Sequence, residues 1–128
     1  MLLEETWRIL MDSKELLEVI VKAADSKRAE EIVALDVANV SLLADYFVIM
    51  QANSDRQVKA IADEIEEKAN LAGVHVRDIE GKNAANWVLL DFGDVVVHVF
   101  KTETRQFYNL EKLWADAPLV DIATWVKD

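Results

Sequence analysis

The stretch Trp87-Val88-Leu89-Leu90-Asp91-Phe92-Gly93-Asp94-Val95-Val96-Val97-His98-Val99-Phe100 constrains the fold more than any other part of the chain. Two apolar runs flank Gly93-Asp94, a pair suited to a tight turn, so the stretch reads as a β-hairpin. Its second arm is apolar at nearly every position, not at alternate ones. Such a strand belongs in a sheet covered on both faces, and the rest of the chain has to supply the cover.

The residues upstream provide it. Asp12, with Glu15 three positions later, is a capping box that opens a helix carrying Leu17, Ile20, Val21 and Ala24 on one face. Leu3, Trp7 and Leu10 continue a similar stripe before it. Ile32 to Val40 reads as a strand, with Val40 one step out of register, and Tyr46 to Met50 as a second, apolar without alternation. Ser54-Asp55-Arg56-Gln57 reads as a second capping box opening a helix with a stripe of Val58, Ile61, Ala62, Ile65, Ala69 and Ala72, which Gly73 closes. Val74 to Ile79 is expected as a third strand, followed by the two arms of the hairpin. Thr102 or Thr104 then caps a last helix whose core face holds Phe107, Leu110 and Trp114 and which Pro118 stops. The order α-β-β-α-β-β-β-α defines an α/β (α+β) chain with a mixed five-stranded sheet covered by helices. Residues 1–11 read as an N-terminal extension, 12–117 as the domain and 118–128 as an apolar C-terminal tail containing Trp125.

Charge narrows the function. With 14 Lys and Arg against 24 Asp and Glu the formal net charge is -10. That balance opposes binding to phosphate backbones, which rests on basic side chains releasing counterions, and it suits a basic protein partner. It equally suits a chain that is merely kept soluble. The absence of Cys removes disulfides and thiolate chemistry and fits a reducing compartment. The acidic start Met1-Leu2-Leu3-Glu4-Glu5 lacks the pattern of a signal peptide, and no apolar run approaches the length of a membrane span. A cytoplasmic protein is expected.

Catalytic readings fare poorly. Asp91-Phe92-Gly93 imitates the magnesium-binding motif of protein kinases, but the other kinase motifs are missing and the letters fall at a strand end and turn. Asn53-Ser54 joins a strand to a capped helix, where many α/β folds hold phosphate, yet no glycine lies nearby to let the backbone approach. Asp36 stands alone in its strand, without the paired carboxylates of two-metal chemistry. His75 and His98 are the only histidines, and neither has a second metal ligand at a recognised spacing. No cofactor or metal is expected. Trp87 opens a strand beside the polar Glu80-Gly81-Lys82-Asn83 loop, where an aromatic side chain either packs locally or serves a partner. Asp91 ends the same strand with a carboxylate beside it.

These residues also carry a resemblance. Asp45-Tyr46-Phe47-Val48-Ile49, Glu80-Gly81, the Trp87–Phe100 stretch, and Arg105 followed by Phe107-Tyr108, Leu110-Glu111 and Leu113-Trp114 resemble, in order and spacing, the ribosomal silencing factor (Iojap) family. The likeness runs from about Met11 to Ala115. It implies a nucleotidyltransferase-like sheet without catalytic carboxylates, and no enzymatic activity. It implies a factor that binds the large ribosomal subunit through its universal ribosomal protein number fourteen, blocks subunit joining and represses translation in nutrient limitation. Carried over by motif, the partner-facing set is Trp87, Asp91, Phe92, His98, Arg105 and Tyr108, with Asp45, Glu80 and Gly81 beside it, while Phe100 and Leu110 are core. The same reading allows a homodimer of the free chain. Readings from other classes are a nucleotide-binding enzyme, which turnover of ATP or GTP would reveal, and a dimerising scaffold that ignores ribosomes.

Overall fold

The structure is a computed structural model that describes residues 12–109, 112 and 116–127. The expected extension before Asp12, together with Leu110 and Trp114, lies outside the described residues.

Helix α1 spans Ser13–Ser26, and the Asp12 carboxylate accepts a 2.8 Å hydrogen bond from the Glu15 N–H, satisfying one of the free donors of the first turn. Strand β1 follows at Glu30–Asp36 and bulges between Glu30 and Val33, where Glu31 takes a positive φ of 50°. It ends four residues before the expected Val40. The Asp36 carboxylate accepts from the Ala38 N–H at 3.1 Å, turning the chain out of the sheet and leaving Val40 exposed. Strand β2 spans Tyr46–Ala52.

Helix α2, Asp55–Leu71, is capped by the Ser54 hydroxyl, which accepts from the Gln57 N–H at 3.2 Å. The Gln57 amide does not complete a box. It reaches back and donates to the Arg28 carbonyl at 3.1 Å, tying α2 to the α1–β1 turn. Gly73, at φ 90°, takes the chain out of the helix as expected. Strand β3 is shorter than the sequence suggests, spanning Asp78–Glu80. Strands β4 (Trp87–Asp91) and β5 (Val95–Lys101) form the hairpin, closed by a Phe92 N–H bond to the Val95 carbonyl. Helix α3 spans Thr102–Tyr108. Neither threonine caps it: Lys101 is the N-cap, and the Thr102 hydroxyl donates to Asn53 Oδ1 at 2.8 Å, fastening β5 to the β2–α2 loop.

The strand order is β1-β2-β5-β4-β3, with β2 and β5 parallel and every other pair antiparallel. One face carries the main core. There Leu17, Ile20 and Val21 of α1 and Val58, Ile61 and Ile65 of α2 meet Val48, Met50, Val88, Leu90, Val97 and Val99 of the sheet. On the opposite face a smaller cluster joins Leu35, Ile49 and Phe100 with Val37, Ala44 and Ala117. β2 and β5 therefore bury their opposite face at Ile49, His98 and Phe100, while Phe47 and Val96 are only partly buried there. Residues 118–127 lie along the fold, half-burying Val120, Ile122, Trp125 and Val126 while Pro118 and Leu119 stay exposed. Leu119 bridges Leu35, the Pro118 carbonyl accepts from the Asp36 N–H, and the Val120 N–H donates to the Ala34 carbonyl. Val120, Ile122, Trp125 and Val126 then pack against the helix-side core. The segment seals the β1 edge. Among the described residues no helix is long and apolar enough to cross a membrane.

Candidate functional site

The period of two along a strand sorts the hairpin onto two faces. Val95, Val97 and Val99 turn to the helices, so Val96, His98 and Phe100 turn to the opposite face. The register extends that face in rows across β4, β5 and β2: Trp87 beside Phe100; Leu89, then His98, then Ile49; and Asp91, then Val96, then Phe47. Asp78 lies next to Asp91, and Glu80 next to Leu89. Trp87, Leu89, Asp91, Val96 and Phe47 are half-buried, whereas Ile49 and Phe100 are fully buried. The result is an apolar and aromatic surface with carboxylates along its β3 side.

Trp87 is the centre of this surface. Its ring stacks on Phe100 at a centroid distance of 4.9 Å and an interplanar angle of 28°. Its indole N–H donates to His98 Nδ1 at 3.1 Å. His98 is only 6% exposed and meets Phe47 edge-on at 5.6 Å. Burial pushes its pKa down to about 4, so the ring is neutral at ordinary pH. With Nδ1 accepting from the indole, the proton resides on Nε2, which is buried and has no hydrogen-bond partner among the described residues. His98 is therefore the support beneath Trp87 and offers little surface itself.

The remaining residues divide by role. Gly81 has φ 82°, and a Cβ there would overlap the Trp87 carbonyl oxygen, so glycine lets the loop close against the start of β4. Glu80 is exposed, and the Asp78 carboxyl bonded to it raises its pKa, with Asp91 contributing. Asp91 accepts from the Gly93 N–H at 2.7 Å and so shapes the hairpin turn while standing on the face. Asp45 is half-buried at the turn end of the sheet, where its N–H donates to the Asp94 carbonyl and its carbonyl accepts from Val37. The Tyr46 hydroxyl beside it has a raised pKa, through burial first and then the carboxylates of Asp36, Asp45 and Asp12.

Two residues of the expected set stand apart. Phe92 is 6% exposed in the helix-side core, because the turn carries it across the sheet from Asp91. Arg105 is 7% exposed, and its Nη1 donates to the Glu31 carbonyl at 2.6 Å and to Gln51 Oε1 at 3.3 Å, holding the β1 bulge against β2. Tyr108 ends α3, and its side chain lies outside the described residues. The structure thus groups Trp87, Asp91, His98 and Glu80, backs them with Gly81, and adds Asp78, Leu89, Phe47 and Val96. Counting by two from Trp87 and from Glu80 finds Leu89 and Asp78 in the sequence. Phe47 and Val96 become visible only through the parallel β2–β5 pairing. Among the described residues no cluster of three His, Asp or Glu side chains is placed to hold a metal ion.

The chain is an α+β domain with both main helices on one sheet face and a half-buried tryptophan on the other. A family model described as ribosomal silencing factor during starvation matches residues 10–128, and the chain belongs to that family. It is 54% identical over 112 residues to the ribosomal silencing factor of Bacillus subtilis, covering 88% of this chain and 95% of that one. A mouse protein named for mitochondrial assembly of the ribosomal large subunit is 32% identical over 102 residues; the match covers 77% of this chain and only 44% of the mouse protein. A crystal structure from Bacillus halodurans superposes with a TM-score of 0.77 at 48% identity, covering 85% of this chain and 99% of that one.

Proposed function

We propose that this protein silences ribosomes by occupying the large subunit, docking the Trp87 face on the universal ribosomal protein number fourteen so that the small subunit is sterically blocked from joining. The outcome is repression of translation under nutrient limitation, in the cytoplasm and without catalysis. The observation that carries the reading is the half-buried Trp87, held in place by its bond to the buried His98 inside an apolar patch bordered by Asp78, Glu80 and Asp91. A fixed aromatic anchor supplies affinity at a protein interface. The carboxylates suit a basic ribosomal protein and repel the RNA around it.

The test is a sucrose-gradient profile of separated ribosomal subunits recombined with and without the protein, no nucleotide being added. Whole-ribosome formation is expected to fall and to saturate near one protein per large subunit. Equal recovery of whole ribosomes at saturating protein sinks the proposal. Self-association without pelleting on large subunits favours a dimerising scaffold instead.

A further inference from the structure

We propose that β3 is a docking edge that accepts an extended strand from the partner, one that alternates Lys or Arg with apolar residues. The inference rests on the docking reading above and names the chemistry of what docks.

The two sheet edges are treated differently. Beyond β1, the Pro118–Val120 segment takes up the Asp36 N–H and the Ala34 carbonyl. Beyond β3, which ends the strand order, no strand follows among the described residues. Alternate backbone groups of a terminal strand turn outward, and these are the groups that an added strand engages. Side chains select what can be added. Asp78 and Glu80 lie on the Trp87 face of β3, and Ile79 packs toward the helix-side core together with Val74 and Val76. An incoming strand therefore meets the Asp78 and Glu80 carboxylates with one set of side chains and, with the other, Ile79 and a hollow that Val76 lines together with Asp63, Glu66 and Glu67 of α2. A basic–apolar–basic alternation matches both.

A second copy of this chain fits badly. Pairing β3 with another β3 sets carboxylates against carboxylates, which destabilises a cross-strand pair. Glu80 already has a pKa raised by the Asp78 carboxyl beside it. A strand lysine or arginine relieves that crowding. The edge is also continuous with the aromatic patch, since Glu80 neighbours Leu89 and Leu89 neighbours His98. One partner segment can thus lie along β3 while the surface next to it covers Trp87.

Hydrogen exchange on the full chain, free and with saturating large ribosomal subunits, tests the proposal. Bound protein is expected to slow exchange of the residue 78–80 amides by about tenfold or more. The double variant Asp78→Lys/Glu80→Lys is expected to unfold at the wild-type midpoint and to lose about tenfold or more in large-subunit affinity, with Asp78→Asn/Glu80→Gln losing less. If the chain pellets with large subunits while these amides exchange at the free rate, or the charge reversal binds as well as wild type, the strand proposal is overturned and docking by the Trp87 face stands. A chain that never pellets overturns the docking reading itself.

Discussion

At the scale of single residues, Trp87 and His98 act as one unit, and their variants separate packing from contact. Trp87→Phe keeps a ring on Phe100 but strips His98 Nδ1 of its donor. A buried acceptor left alone costs about 1–2 kcal/mol, which urea unfolding measures. Trp87→Ala also removes the stack. It is expected to lose about 2–3 kcal/mol of stability, below the range for a fully buried aromatic, and about 2 kcal/mol or more of large-subunit binding. An alanine variant unfolded at room temperature identifies Trp87 as a core residue and refutes its contact role. His98 makes stability depend on pH. Its pKa is about 4 in the folded chain against 6.5 for a free imidazole ring, so the unfolded chain takes up the proton first. The contribution is complete above pH 6.5 and is lost as pH falls toward 4, reaching roughly 3 kcal/mol there. Unfolding midpoints measured from pH 7 to pH 4 are expected to fall, and His98→Phe is expected to flatten that limb.

At the scale of elements, the C-terminal segment behaves as an additional edge strand. Deleting residues 118–128 frees the Asp36 N–H and the Ala34 carbonyl and uncovers the core beneath Val120, Ile122, Trp125 and Val126. Removing that much apolar burial is expected to lower stability by about 3 kcal/mol or more, read as a drop in melting temperature. A truncated chain that melts at the full-length temperature shows that the segment contributes nothing to the fold. Local rules made the helices legible, because Asp12 and Ser54 cap their own first turns and the apolar stripes have the helical period. They made β2, β4 and β5 legible too, as apolar runs bounded by turns. The shortening of β3, the bulge at Glu31 and the docking of residues 118–127 depend on pairing between distant residues, which no local pattern encodes. The candidate site divides the same way. Trp87, Asp91 and Glu80 follow from turn and strand position, whereas the burial of Phe92 follows from the side of the sheet to which the turn carries it, and that of Arg105 from its bonds to the Glu31 carbonyl and Gln51 at the β1 bulge.

At the scale of the whole molecule, charge decides how the protein reads its partner. A net charge of -10 opposes approach to ribosomal RNA and favours a basic protein surface, the kind of partner the proposed docking needs. That argument fixes the salt dependence. A protein that neutralises 6–10 phosphates loses about 10³–10⁵ in affinity between 50 and 200 mM salt, because each contact releases counterions. Carboxylates at an exposed rim are merely screened, over a Debye length of about 8 Å at physiological ionic strength, and the apolar contact at Trp87 is almost indifferent to salt. Co-sedimentation with large subunits across that range is therefore expected to weaken by only about tenfold. A slope as steep as that of an RNA binder shows that phosphate contacts hold the complex, and docking on a ribosomal protein is then wrong. The steric reading adds an order-of-addition effect at constant salt. Protein added before the subunits are mixed is expected to prevent their joining. The same amount added to whole ribosomes is expected to act more weakly, because on that reading the small subunit crowds the site.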